Sequence, residues 1–254
     1  MRWCDMDKLL YQLVNVGEML LQNGAEVSRV EETIFRMGMA YGAAEIHAFV
    51  ITNSMVVSMR TPDGQLLTQT RRITQAPSTD FIQLEACNAL SRRCCEAPLP
   101  LEELTAEVER IRTRPDKRRR VYIGSMLLVG SFTLFFGGSL ADMLVSIVFA
   151  ALTCLLQEKL MPICMNRVIF NLFCAAIIGT GTCLCVKLIP VLQLDKIMIG
   201  YIMMLIPGFA MTNSVREVLM GNTISGALRL TESLLWAAAL AAGFMIAIWL
   251  TGVV

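Results

Sequence analysis

Five stretches in the second half of this chain carry no charged side chain: 121–141, 143–157, 168–186, 197–215 and 233–254. An α-helix rises about 1.5 Å per residue and the hydrocarbon core of a bilayer is roughly 30 Å thick, so a crossing takes about 20 apolar residues, with a range of about 17–25. The first, third, fourth and fifth stretches have that length, and the second has it if Asp142 near its start is included. Five spans are expected, near 121–137, 139–157, 168–189, 196–213 and 230–251. On this reading 116–254 is an all-α membrane bundle of five transmembrane helices.

Charge is distributed to match. The chain has 22 Lys and Arg and 21 Asp and Glu, and of these 43 side chains 32 lie in 1–120 and 11 in 121–254. Seven bases (Arg110, Arg112, Arg114, Lys117, Arg118, Arg119, Arg120) stand against the single acid Asp116 just before the first apolar stretch. In that position they read as an anchor on anionic lipid headgroups rather than as a nucleic-acid site. With the N-terminus inside, the inner segments hold this cluster together with Lys159, Arg167, Arg216 and Arg229, while the outer segments hold Lys187 and Lys196. That bias follows the positive-inside rule and puts Val254 outside. The opening MRWCDMDKLL places Asp5, Asp7 and Lys8 before any apolar run and does not read as a signal peptide. Nine cysteines without a CxxC, and His47 as the single histidine, give no zinc spacing, and no metal or cofactor is expected.

Residues 1–115 read as a cytoplasmic α+β domain. Met6, Leu9, Leu10, Leu13, Val16 and Leu20 recur at helical spacing, and Asn23-Gly24 supplies a stop. A second helix runs from near Ala25 to Gly42 with Val27, Val30, Ile34, Met37 and Tyr41 as its stripe. Period two then takes over in EIHAFVI, MVVSMR and QLLTQTRRI, divided by Thr52-Asn53-Ser54 and Pro62-Asp63-Gly64, which predicts a three-stranded meander. Ser78 or Thr79 is expected to cap a third helix, and Pro100 to open a fourth. Glu26, Arg29, Glu31, Glu32 and His47 are the residues a catalytic reading would have to use. Ser28 and Glu31 have the spacing of a capping box, and equally of a polar cluster at a helix start, where an anion is favoured. A hydrolase needs a nucleophile, a base and an orienting group; there is no GxSxG and His47 lies mid-strand, so the domain reads as non-enzymatic.

The stretch MMLIPGFAMTNSVRE, Met203–Glu217, puts a helix breaker inside an oily segment. Pro207 cannot donate to the carbonyl of Met203, and an unpaired carbonyl in lipid costs several kcal/mol. Such a break lines a cavity, as the discontinuous helices of transporters do, or is a proline kink in a packed helix. Asp142, about one turn inside the membrane boundary, is a proton or ion site or an interfacial carboxylate. Asn171 fits a helix-packing hydrogen bond, Gly179-Thr180-Gly181 fits close helix approach, and Glu158 with Lys159 and Arg229 with Glu232 fit the inner interface.

NGAEVSRVEETI (Asn23–Ile34), ITNSMVVSM, and PGFAMTNSVRE followed by SGALRL resemble the threonine/serine exporter family over nearly the whole chain, specifically its amino-terminal component. The resemblance implies a subunit of a secondary exporter of small polar metabolites in the bacterial inner membrane. It would be a proton-driven antiporter for threonine and serine or, in some members, small dicarboxylates. It also implies a second small membrane subunit as partner. The family pattern points to Gly24, Glu26, Arg29 and Glu31 in the first domain, and to Pro207, Gly208, Thr212, Asn213 and Arg216 as substrate-binding residues; Asp142 is the candidate for proton coupling. A membrane-anchored cytoplasmic hydrolase and a non-transporting assembly or sensing subunit are the alternatives.

Overall fold

A computed structural model describes residues 3–74, 80–114, 118–161, 163–164 and 166–253. Ser78 and Thr79, and Asp116 and Lys117 of the basic run, lie outside the described residues. The chain divides into two compact units: Met1–Pro115 with Thr212–Leu230, and Asp116–Met211 with Thr231–Val254.

The first unit opens with α1 (Trp3–Gln22) and α2 (Val27–Ala40). Leu9, Leu10, Leu13, Val14, Val16 and Leu20 on the apolar face of α1 are buried, and Gln12 and Asn15 of its polar face are covered as well, so α1 is the central element of the unit's core. Gly24 sits at φ 86°, where the lack of a Cβ lets the chain reverse; its amide donates to Leu21 O (3.2 Å) and that of Ala25 to Leu20 O (3.0 Å). The predicted meander is present: β1 (Glu45–Ile51), β2 (Ser54–Arg60) and β3 (Leu66–Arg72) form an antiparallel sheet in the order β1-β2-β3. Ile46, Val50, Met55, Val57 and Met59 point inward, while His47 is exposed and meets Glu45 (2.9 Å). Next come α3 (Phe81–Glu96), capped by Asp80 onto the amides of Ile82 and Gln83, and α4 (Leu101–Arg112), which starts after Pro100 and buries Leu104, Val108 and Ile111.

The second unit contains α5 (Arg118–Phe135), α6 (Leu140–Lys159), α7 (Arg167–Leu188) and α8 (Leu194–Leu205). Two further helices, α9 (Gly208–Leu219) and α10 (Thr223–Thr251), each have residues in both units. Among the described residues three helices (α6, α7 and α10) are long and apolar enough to cross a membrane, or up to four crossings if α8 and α9, bent by 51° at their junction, count as one. The bend falls at Ile206-Pro207, so the expected span at 196–213 is two helices rather than one. Three arginines occupy the first turn of α5; its remaining 15 residues rise only about 22 Å, short of the roughly 30 Å core.

Glycines set the helix spacing here. A Cβ on Gly179 would meet Ala247 Cβ at 2.7 Å, and one on Gly243 would meet Leu172 O at 2.5 Å, so α7 and α10 approach as small-residue helix pairs do. Asp142, Ser146, Ala150 and Thr153 form a fully buried stripe along α6. Ser146 Oγ accepts from Thr133 Oγ1 (2.8 Å), and Thr153 Oγ1 donates to Tyr201 Oη (2.6 Å). These hydroxyls also lie within hydrogen-bond reach of carbonyls four residues back; each has one proton, so Thr133 and Thr153 share theirs between the two contacts or take one of them as acceptor.

Candidate functional site

Two of the sequence stretches that carry the resemblance, almost 190 residues apart, meet within the first unit. One is the start of α2. Glu26 stands at its N-cap with extended backbone and makes no cap bond with its own side chain. Helix starts expose amides and a partial positive charge, and here the missing acceptor comes from elsewhere in the chain. Glu217 on α9 reaches the Val27 amide with Oε1 (3.2 Å). Beside it Asn213 Nδ2 donates to Gly24 O (3.3 Å), and Arg216 Nη1 pairs with Glu26 Oε1 (2.8 Å). From α10, Arg229 Nη1 pairs with the same Glu217 Oε1 (3.2 Å), and its Nη2 donates to Ala25 O (3.1 Å). The α2 start is therefore gripped by three side chains from α9 and one from α10.

Burial grades the site from rim to floor. Arg216 is exposed, Glu26 and Asn213 are partly covered, Arg229 is 13% exposed and Glu217 is fully buried. Gly226 holds α10 against α9: a Cβ there would meet Ser214 O at 2.7 Å and the Val218 amide at 2.9 Å. Ser214 and Ser225 at this crossing are buried as well. SGALRL is thus a packing sequence, with its glycine at the contact and its arginine delivered to the carboxylate of Glu217.

The expected residues sort as follows. Gly24, Glu26, Asn213 and Arg216 come together. Thr212, on the same helix, is exposed, and Arg29 is exposed on α2 with its carbonyl accepting from Thr33 Oγ1. Pro207 and Gly208 belong to the second unit, at the α8–α9 bend. Glu31 makes no capping box with Ser28, because the helix begins at Val27 and puts Ser28 inside its first turn; Glu31 instead accepts from the Val50 amide of β1 (3.0 Å). Burial raises the Glu31 carboxyl above its ordinary range, and the Val50 hydrogen bond opposes that. Arg229, expected near the inner interface, pairs with Glu217. Asp142 is fully buried in the second unit as part of a capping box: Oδ2 accepts from Ser139 N (2.8 Å) and Ser139 Oγ (2.7 Å), and Oδ1 from Gln193 N (2.8 Å).

Sequence reasoning missed Glu217 and Arg229 as partners. Their signal was chemical: a Glu and an Arg at the ends of oily segments, Glu217 with no base at i±3 or i±4 and Arg229 with one acid there, Glu232 at i+3.

A family model described as "Putative threonine/serine exporter" (ThrE) matches residues 12–251. The chain belongs to the threonine/serine exporter family. That is a family of membrane transporters, and the apolar helices agree with it. Neither a curated protein nor a solved structure matches the chain. In this member of the exporter family, the matched region takes in every residue of the α2–α9–α10 cluster.

Proposed function

We propose that this chain is a subunit of a proton-coupled secondary exporter of threonine, serine or small dicarboxylates. It would lie in the bacterial inner membrane with its N-terminus in the cytoplasm and cross five times. The first crossing would be α5, with Arg119 and Arg120 reaching back to the headgroups to make up its short apolar length. It would work with a second small membrane subunit. The observation that carries this reading is the polar grip of α9 and α10 on the start of α2. Three charged side chains and one amide from α9 and α10 meet one helix start, and a carrier needs a contact that can form and release during its cycle. Both gripping helices extend into the apolar unit, one of them through the Pro207 bend, so release of the grip is felt along segments that border the membrane. Asn213 and Arg216, with the amide-rich α2 start, have the chemistry to receive a substrate carboxylate when the grip opens. Asp142 is the carboxyl of the apolar unit proposed to carry the coupling proton.

The test is efflux from proteoliposomes loaded with labelled threonine, serine or succinate, with and without an imposed proton gradient, the chain being reconstituted alone and with candidate partner subunits. Gradient-dependent efflux of one of these substrates, lost in Pro207→Ala and Asn213→Ala, is the expected result. Absence of efflux in every combination would remove the transport reading; unchanged efflux from well-folded variants would remove the site.

A further inference from the structure

Among the described residues one buried side-chain polar atom lacks a hydrogen-bond partner, and it belongs to the grip. Glu217 Oε2 is buried and meets no hydrogen-bond donor among the described residues, while Oε1 of the same carboxyl takes both the Val27 amide and Arg229. We propose that Glu217 is a proton-binding site whose occupancy decides whether α9 and α10 hold the start of α2. Its physiological meaning rests on the exporter reading, but its chemistry does not.

The two protonation states are balanced by opposing defects. Ionised, the carboxyl keeps the Val27 amide, the positive end of α2 and the Arg229 guanidinium, but leaves a charged oxygen in the interior without a donor. Protonated, that oxygen is neutral, but Arg229 loses its anionic partner and the amide of Val27 faces a weaker acceptor. A hydronium ion of the solvent delivers the proton: its O–H bond breaks as the Oε2–H bond forms, leaving neutral water. The groups facing the site are Glu26 from α2, Arg216 from α9 and Arg229 from α10, with Arg29 exposed further along α2. Two acids and two bases make the closed cluster neutral, and uptake of one proton leaves it at +1. That charge beside the positive end of α2 favours separation.

A proton is the ligand that fits. Glu217 has no exposed surface, so nothing larger reaches Oε2 in this conformation. The two arginines repel a metal cation, and no group of three or more potential metal ligands occurs among the described residues.

The test uses the purified full chain. Infrared difference spectra across a pH titration follow the carboxyl band of a buried protonated acid, and hydrogen exchange, corrected for intrinsic rates, follows the Val27 segment. In the unmodified chain the band is expected to grow, and the protection to fall, as pH is lowered. Glu217→Gln removes one carboxyl component from the band, leaving that of Glu31 and the other acids, and makes protection independent of pH. Arg229→Gln serves as the second variant if Glu217→Gln does not fold: loss of the cation moves the midpoint of that component up by about one pH unit or more. A band undiminished in Glu217→Gln, a midpoint unmoved in Arg229→Gln, or pH-independent protection in the unmodified chain would overturn the proposal. Efflux measured on the same preparations separates the two ideas. An unmodified chain that moves no substrate yet shows that component counts against the exporter reading alone, and one that moves substrate without it counts against Glu217 alone.

Discussion

Glu31 shows how a single carboxylate ties two elements of the first unit. Its Oε1 accepts the Val50 amide on the edge strand β1, which a neighbouring strand would otherwise have to satisfy. Burial raises its pKa in the fold, with the Val50 bond pulling the other way, so the folded chain takes up this proton at higher pH than the unfolded chain does. The sign follows: the charged form costs stability at neutral pH, and the cost disappears as pH falls through the raised pKa. Glu31→Gln keeps the acceptor and removes the charge. It is expected to raise Tm at pH 7 by thermal unfolding, with the gap to the unmodified chain closing toward pH 4, whereas Glu31→Ala lowers Tm at pH 7 by removing the acceptor. Asp142 is the corresponding residue of the second unit. Asp142→Ala leaves the Ser139 cap of α6 but removes the carboxylate half of the capping box, and is expected to cost about 1 kcal/mol. Asp142→Asn separates cap from coupling: a cap alone leaves efflux responsive to the proton gradient, and the coupling role proposed for it abolishes that response.

At the level of elements, Gly226 and the Pro207 bend carry the arrangement. The Cβ of Gly226→Ala would fall on backbone atoms of α9 that cannot give way as a flexible side chain can. The substitution is expected to cost about 1–3 kcal/mol, read as a lower Tm and as faster hydrogen exchange at the start of α2. Much of this level was legible beforehand. The strand runs matched the sheet because alternation and turn residues act locally, and the α1–α2 hairpin followed from its stripes and from Asn23-Gly24. The break in the fourth apolar stretch was legible because Pro207 lacks an amide wherever it stands. The destination of α9 was not. No periodicity links Glu217 to Val27 or Arg229 to Ala25, since these contacts form between segments some 190–200 residues apart and depend on which helix starts lack acceptors. Ser28 misled for the same reason: a capping-box spacing says nothing about where the helix begins, and here the acceptor comes from α9 instead.

At the scale of the molecule, the chain joins a folded α+β unit to apolar helices through α9 and α10, and the family match covers both parts. The central claim is that the grip on α2 is part of the transport cycle and not merely part of the fold. Glu26 and Arg216 test it best, because they pair at 2.8 Å at the exposed rim, where charge reversal disturbs little packing. The measurement is threonine or serine efflux from proteoliposomes for Glu26→Arg, Arg216→Glu and the double variant, each checked for an unchanged Tm. The account predicts that either single reversal lowers efflux about tenfold, equivalent to about 1.4 kcal/mol, and that the double variant recovers most of it. Single reversals that export at the unmodified rate, or a double variant as inactive as the singles, would contradict it.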